Sequence, residues 1–222
     1  MEKLEEEEKQ QGNGILVIDG AYFNINFGKL TGELVQDKDR EFFMGVLRGI
    51  ESLCNVQFRK SYYISSDDRK EDRAYLYTNL KDAGIEVLLK GFKYKMVKCL
   101  AYYCEHNDNQ NKISSKVQAE VDVYIATKMI EECLRDRAEA NGKSEGHIEH
   151  VVLFAGDIDF REAIKLITGD LIRKKVTIVG FRRTLSIELH TMNQVTVKYV
   201  DEIFNQDYAR APEYIYMEKN VP

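Results

Sequence analysis

The chain has 222 residues, 44% apolar and 31% charged, which excludes an intrinsically disordered polymer and leaves enough length to bury a sizeable core. Lys plus Arg number 32 against 37 Asp plus Glu, so a strongly basic footprint is absent from the totals. Part of the surplus is local: residues 1–10 hold five Glu and two Lys, which leaves the rest of the chain close to balance.

No apolar run approaches the roughly 18 residues needed to span a bilayer, so no membrane partner is expected. The first 13 residues are acidic and polar, unlike an Arg-rich transit peptide. Cys54, Cys99, Cys104 and Cys133 are dispersed, which predicts reduced thiols in an intracellular, cytoplasmic protein. With two Pro, no Trp and no repeat, nothing marks an interdomain boundary. The reading is an acidic flexible tail over 1–13, a single domain over 14–207 and a C-terminal segment over 208–222.

In chain order, Gly14–Asp19 is a continuous apolar run ended by polar and Gly residues, as in a fully buried parallel strand. Phe42, Val46, Ile50 and Leu53 recur at helical spacing and predict a helix over 39–54. A strand is expected at 62–65, then a helix over 68–82 ended by Gly84, then a strand at 85–89. Residues 92–104 alternate in part and are expected to pair with 113–117 as a hairpin projecting from the sheet. A helix from about Ala119 to Ala140, a polar surface connection over Asp136–His150, a strand at 151–155, a helix marked by Phe160, Ile164 and Ile167, and a strand at 176–180 complete the pattern. Strands alternating with helices predict an α/β fold, Rossmann-like, with three α/β/α layers and a central, mostly parallel sheet.

Ligands of such sheets bind outside the carboxyl ends of the strands, where strand order reverses. Asp19 closes the first apolar run, and Asp157 and Asp159 follow Val-Val-Leu-Phe-Ala-Gly. These acids equally suit Asx turns, and Asp159 with Glu162 suits a capping pair. Asp122 shares a helical stripe with Ala126, Met129 and Cys133, a largely apolar face on which a charge needs a partner or a metal. First-turn stabilisation of the helix dipole is the simpler role for it. Four converging carboxylates would repel one another unless a cation neutralised them, and hard oxygen donors favour Mg²⁺ or Mn²⁺ over Zn²⁺. That donor set suits metal-assisted hydrolysis of a phosphodiester.

The pattern resembles the NYN domain of the PIN-like nuclease superfamily, in particular its LabA-like branch. The matching segments are Ile-Leu-Val-Ile-Asp19-Gly20, Val121-Asp122-Val-Tyr-Ile-Ala-Thr-Lys-Met-Ile, Val-Leu-Phe-Ala-Gly156-Asp157-Ile-Asp159-Phe160, Lys175-Val-Thr-Ile-Val-Gly180-Phe181, Ser186-Ile-Glu-Leu189 and Asp201, in the family's order. The resemblance implies a metal-dependent ribonuclease, leaving 5′-phosphate and 3′-hydroxyl ends. Asp19, Asp122, Asp157 and Asp159 would be its catalytic and metal-holding acids. Two departures stand out: Tyr22 where the family usually has Asn, with Asn24 and Asn26 slightly beyond, and Ala155 where it often has Ser. An inactive NYN-like module that binds RNA or a protein partner, or a homo-oligomer, is the competing reading.

An RNA substrate, single-stranded by this reading, requires local positive charge. Lys90, Lys93, Lys95 and Lys98 surround Phe92 and Tyr94, and Arg173, Lys174, Lys175, Arg182 and Arg183 lie in an acid-free stretch. Cations beside aromatic rings suit single strands, although such runs also serve as solvated or edge-protecting faces. Asn24, Lys93, Lys95, Arg182 and Arg183 are the expected RNA contacts, with Arg182 and Arg183 bordering the acids. Cys99, Cys104 and His106 lack a clear fourth zinc ligand. No Gly-rich phosphate loop is present.

Overall fold

The computed structural model describes residues 12–66, 73–98, 112–118, 120–139 and 147–204, without side chains at 92–98, 112–118 and 137–139. Six parallel strands form the central sheet: β1 (Gly12–Asp19), β2 (Val56–Ser66), β3 (Ile85–Lys90), β6 (His150–Phe154), β7 (Lys175–Gly180) and β8 (Val195–Tyr199). Their order is β3-β2-β1-β6-β7-β8. A separate antiparallel hairpin joins β4 (Phe92–Lys98) to β5 (Lys112–Gln118), with Lys95 opposite Ser115. The helices are α1 (Gly20–Thr31), α2 (Arg40–Cys54), α3 (Ala74–Asp82), α4 (Val121–Glu139), α5 (Arg161–Thr168), α6 (Ile187–His190) and α7 (Asp201–Phe204).

The apolar runs read in the sequence are the centre of this sheet. Ile15, Leu16, Val17 and Ile18 are at most 2% exposed because β1 is covered on both faces. Alternation splits the run: Ile15 and Val17 join a core with Ile125 and Met129 of α4 and Ile164 and Ile167 of α5. Leu16 and Ile18 pack with Phe23 and Phe27 of α1, Val46 and Ile50 of α2, and Leu76 and Leu80 of α3. Each fully buried side chain of this size is worth about 1.5–3 kcal/mol. The result is the three-layer α/β/α architecture expected.

The chain starts at β1, moves outwards to β3, returns through the hairpin and α4 to β6 beside β1, and moves outwards again to β8. Strand order therefore reverses between β1 and β6, and their carboxyl ends frame the crevice where such folds bind ligands. Among the described residues no helix is long and apolar enough to cross a membrane.

Several boundaries differ from the sequence reading. β1 begins at Gly12, inside the stretch read as tail, and β2 spans 56–66 rather than 62–65. Four of the elements named above were not expected: α1, α6, β8 and α7. The stretch read as a surface connection from Asp136 begins inside α4, and Asp136 is buried, 7% exposed. It accepts hydrogen bonds from the Ile148 N–H at 2.9 Å and Lys174 Nζ at 3.0 Å, and lies 3.3 Å from His147 Nδ1. Cys99, Cys104, His106, residues 1–11 and the segment 208–222 lie outside the described residues.

Candidate active site at the sheet reversal

Asp19 is the last residue of β1 and the N-cap of α1; it is 8% exposed. Its Oδ1 accepts from the N–H groups of Ala21 at 2.9 Å and Tyr22 at 3.0 Å, satisfying two of the helix's orphan donors. Burial drives its pKa up to about 6, aided by the charges of Asp122 and Asp157 and opposed by the two N–H groups. The capping role and membership of an acidic group thus coexist in one side chain.

Asp157 follows β6 and is exposed. Its Oδ1 accepts from the Asp159 N–H at 3.1 Å, opening a 3₁₀ turn over Ile158–Phe160 that leads into α5. Asp159 is exposed in that turn, and Glu162 pairs with Lys165 at 2.8 Å rather than closing a capping box. Asp122 stands in the first turn of α4. Partial desolvation raises its carboxyl pKa, and the charges of Asp157 and Asp159 add to the shift. The apolar stripe expected for it holds at Met129 and Cys133 but differs in the first two turns. Val121, Ile125, Met129 and Cys133 form the buried face, and Asp122 lies exposed beside it. Its nearness to the other acids comes from where α4 begins, not from the stripe.

The four acids therefore gather at one rim from β1, α4 and the β6–α5 connection. Among the described residues none of the four forms an ion pair, in contrast to Glu132 and Asp136 of α4, which face Lys60, Lys128 and Arg135, and Lys174 and Arg59, respectively. Also among the described residues, no three acidic, His or Cys side chains converge on a point that would hold a metal ion.

The basic residues divide between the two edges of the sheet. Arg173, Lys174 and Lys175 precede or begin β7 and so lie at the edge opposite the acids, where Lys174 is committed to Asp136. Arg182 and Arg183 follow β7, at the same edge as the acids, and both are exposed. Lys93 and Lys95 lie on β4, whose side chains are outside the description. Lys90 is placed over the Tyr124 ring, its Nζ 3.5 Å from the centroid. Asn24 turns away from β6: its Nδ2 donates to the Tyr63 hydroxyl on β2 at 2.7 Å, leaving its buried Oδ1 without a partner.

Sequence reasoning missed what Tyr22 and Asp201 do. The Tyr22 ring lies against Phe154 and Phe181, at centroid distances of 6.2 and 5.9 Å. It occupies the space beside Gly156, where an added Cβ would stand 2.3 Å from the ring and 2.8 Å from the Thr184 carbonyl oxygen. Only glycine fits this approach. The Tyr22 hydroxyl accepts from the Phe181 N–H and the Thr184 hydroxyl, each at 3.0 Å. Asp201, 5% exposed, accepts from the Arg182 N–H at 3.0 Å. The available signals were the Tyr in place of the resembled family's Asn, and a late acid following an apolar run.

Neither a protein-family model nor a curated protein matches the sequence. A solved structure does: a protein of unknown function from Vibrio parahaemolyticus, with a TM-score of 0.53 and 16% identity, covering 87% of this chain and 96% of that one. Likeness at this level carries the fold alone.

Proposed function

We propose that the protein is a metal-dependent ribonuclease of the NYN type, cutting single-stranded RNA in the cytoplasm through Asp19, Asp122, Asp157 and Asp159. The observation that carries this reading is the gathering of four carboxylates, unneutralised by any described cation, at the reversal point of the sheet, with Asp19 pushed up to about 6. Buried acids are normally paired, as Glu132 is, whereas buried Asp19 has only backbone N–H partners among the described residues.

The donor set fits Mg²⁺ or Mn²⁺ in chemistry, being all carboxylate oxygen. Asp19 and Asp157 each commit Oδ1 to backbone N–H groups and keep Oδ2 available. Asp122 and Asp159 are exposed, so neither carboxylate is held by packing in a single rotamer. Bound there, such a cation supplies Lewis acidity that activates a water and stabilises charge on the phosphate. The protein's own contribution is a fixed first ligand in Asp19, held by the α1 N-terminus, and positive charge at Arg182 and Arg183 that draws the phosphodiester to the rim.

A second reading has its own observation. Tyr22 fills part of the crevice beside Gly156, which suits a module that binds RNA, or a protein partner, without cutting. Calorimetric titration with Mn²⁺ separates the two. Binding to the wild type that is lost in Asp157→Asn supports the nuclease. RNA affinity with no Mn²⁺ binding supports the module.

A further inference from the structure

The turn that leaves β7, Phe181–Thr184, is held at Phe181, Arg182 and Thr184 by side chains distant in sequence. The Phe181 ring is buried against Phe154 and Phe204, at centroid distances of 5.6 and 5.8 Å. Its N–H donates to the Tyr22 hydroxyl at 3.0 Å, and the next N–H, of Arg182, donates to Asp201 Oδ2 at 3.0 Å. The Thr184 hydroxyl donates to Tyr22 at 3.0 Å. The chain continues to Ser186, whose N–H donates to the Gly156 carbonyl at 2.9 Å, one residue before Asp157. The turn is thus fastened to the loop that carries two of the candidate acids.

Arg182 itself is exposed, yet its guanidinium lies 4.5 Å from the centroid of the Tyr199 ring. Among the described residues it makes no ion pair. An arginine with its backbone clamped and its side chain laid on an aromatic face loses little freedom on meeting an anion. Two buried or half-buried polar groups, Tyr22 and Asp201, are spent on holding that one backbone segment.

We infer that Tyr22 and Asp201 are positioning residues that clamp the Phe181–Thr184 turn so that Arg182, laid on Tyr199 of the edge strand β8, grips a phosphate of single-stranded RNA at the same sheet edge as the acids. This rests on the ribonuclease reading above. It makes Tyr22, the departure from the resembled family, part of the substrate grip rather than a plug.

The test is equilibrium binding of a fluorescein-labelled single-stranded RNA to the full chain in EDTA at pH 7, across a range of salt. Each phosphate contact on a single strand contributes about 0.7 to the slope of log affinity against log salt, about eightfold in affinity between 1 M and 50 mM. Tyr22→Phe keeps the ring beside Gly156 and removes only the hydroxyl. Thr184→Val loosens the same hydroxyl from the other side.

Arg182→Ala is expected to lower the slope by about 0.7, with Tyr22→Phe approaching that loss and the double variant no weaker than Arg182→Ala. A mere loosening of the fold lowers the melting temperature and leaves the slope of the folded protein unchanged. Wild-type slope and affinity in Tyr22→Phe and Thr184→Val, with Arg182→Ala impaired, overturns the clamp alone. Wild-type binding by Arg182→Ala also overturns it. No RNA binding by the wild type overturns the ribonuclease reading with it.

Discussion

The carboxylate of Asp122, in the first turn of α4, acts through space on Asp19 at the end of β1: its charge is one of the forces that push the Asp19 carboxyl up to about 6. Asp19 is then partly protonated near neutrality, although it caps α1. Removing the neighbouring charge should therefore move it. In Asp122→Asn the Asp19 pKa is expected to fall below 6 but to stay above the ordinary value of 3.8, because burial is the larger cause. A carbon-detected NMR titration of the side-chain carboxyls measures this, and a pKa still at 6 in the variant would mean the two acids are not coupled.

The same shift makes stability fall with pH. Asp19 binds its proton more tightly folded than unfolded, so its contribution favours the fold below about pH 4 and is lost as pH rises to about 6. Two pKa units correspond to about 3 kcal/mol. Asn also caps helices, so Asp19→Asn is expected to raise the urea midpoint at pH 7 by the equivalent of about 1–3 kcal/mol, and by far less at pH 4. An Asn variant less stable than the wild type at pH 7 would contradict the account.

Glu132 behaves in the opposite way. Its side chain is 1% exposed and meets Lys60 at 2.9 Å and Lys128 and Arg135 at 3.1 Å. Burial alone would raise its carboxyl pKa, but hydrogen bonds from Lys60, Lys128 and Tyr62 outweigh burial and hold it at about 2. Its stabilisation is present above about pH 4.5 and is lost as pH falls towards 2. Glu132→Gln should cost about 2–4 kcal/mol at pH 7, since it leaves buried Lys128 short of a partner. Its denaturant midpoint should also respond less to acid than the wild type's.

Gly156 offers a steric prediction. A methyl group there meets the Tyr22 ring at 2.3 Å and a backbone carbonyl oxygen at 2.8 Å, so Gly156→Ala should destabilise by about 1–3 kcal/mol. Truncating the ring relieves one clash, so Tyr22→Ala should cost less in the Gly156→Ala background than in the wild type. Additive losses in the four-variant thermal cycle would show that the two residues do not share this space.

The buried strands were the legible part of the fold, because Ile15–Ile18 and Val151–Phe154 are apolar without interruption and only a central parallel strand buries both faces. α1 was missed because Gly20, Asn24, Asn26 and Gly28 are poor helix formers. The helix is made by the Asp19 cap and by Phe23 and Phe27, four residues apart and buried in the core. β8 was missed because an edge strand reads Val-Thr-Val-Lys-Tyr, only partly buried.

Legibility at the site divides in the same way. Asp19 and Asp157 were readable from strand ends. Asp122 was named through a stripe that belongs to Val121 and Ile125. The bonds from Phe181 and Thr184 to Tyr22 cross 159 and 162 residues, and no local pattern encodes contacts of that range.

The central claim is that four aspartates at the sheet reversal cut RNA. It is tested most directly by incubating 5′-labelled single-stranded RNA with Mn²⁺ and the wild-type chain, beside Asp157→Asn and Asp19→Asn. The account predicts shortened products from the wild type that disappear with EDTA, and loss of at least a hundredfold in rate in both variants. Equal cleavage by the wild type and both variants, or none by any of them, would contradict it.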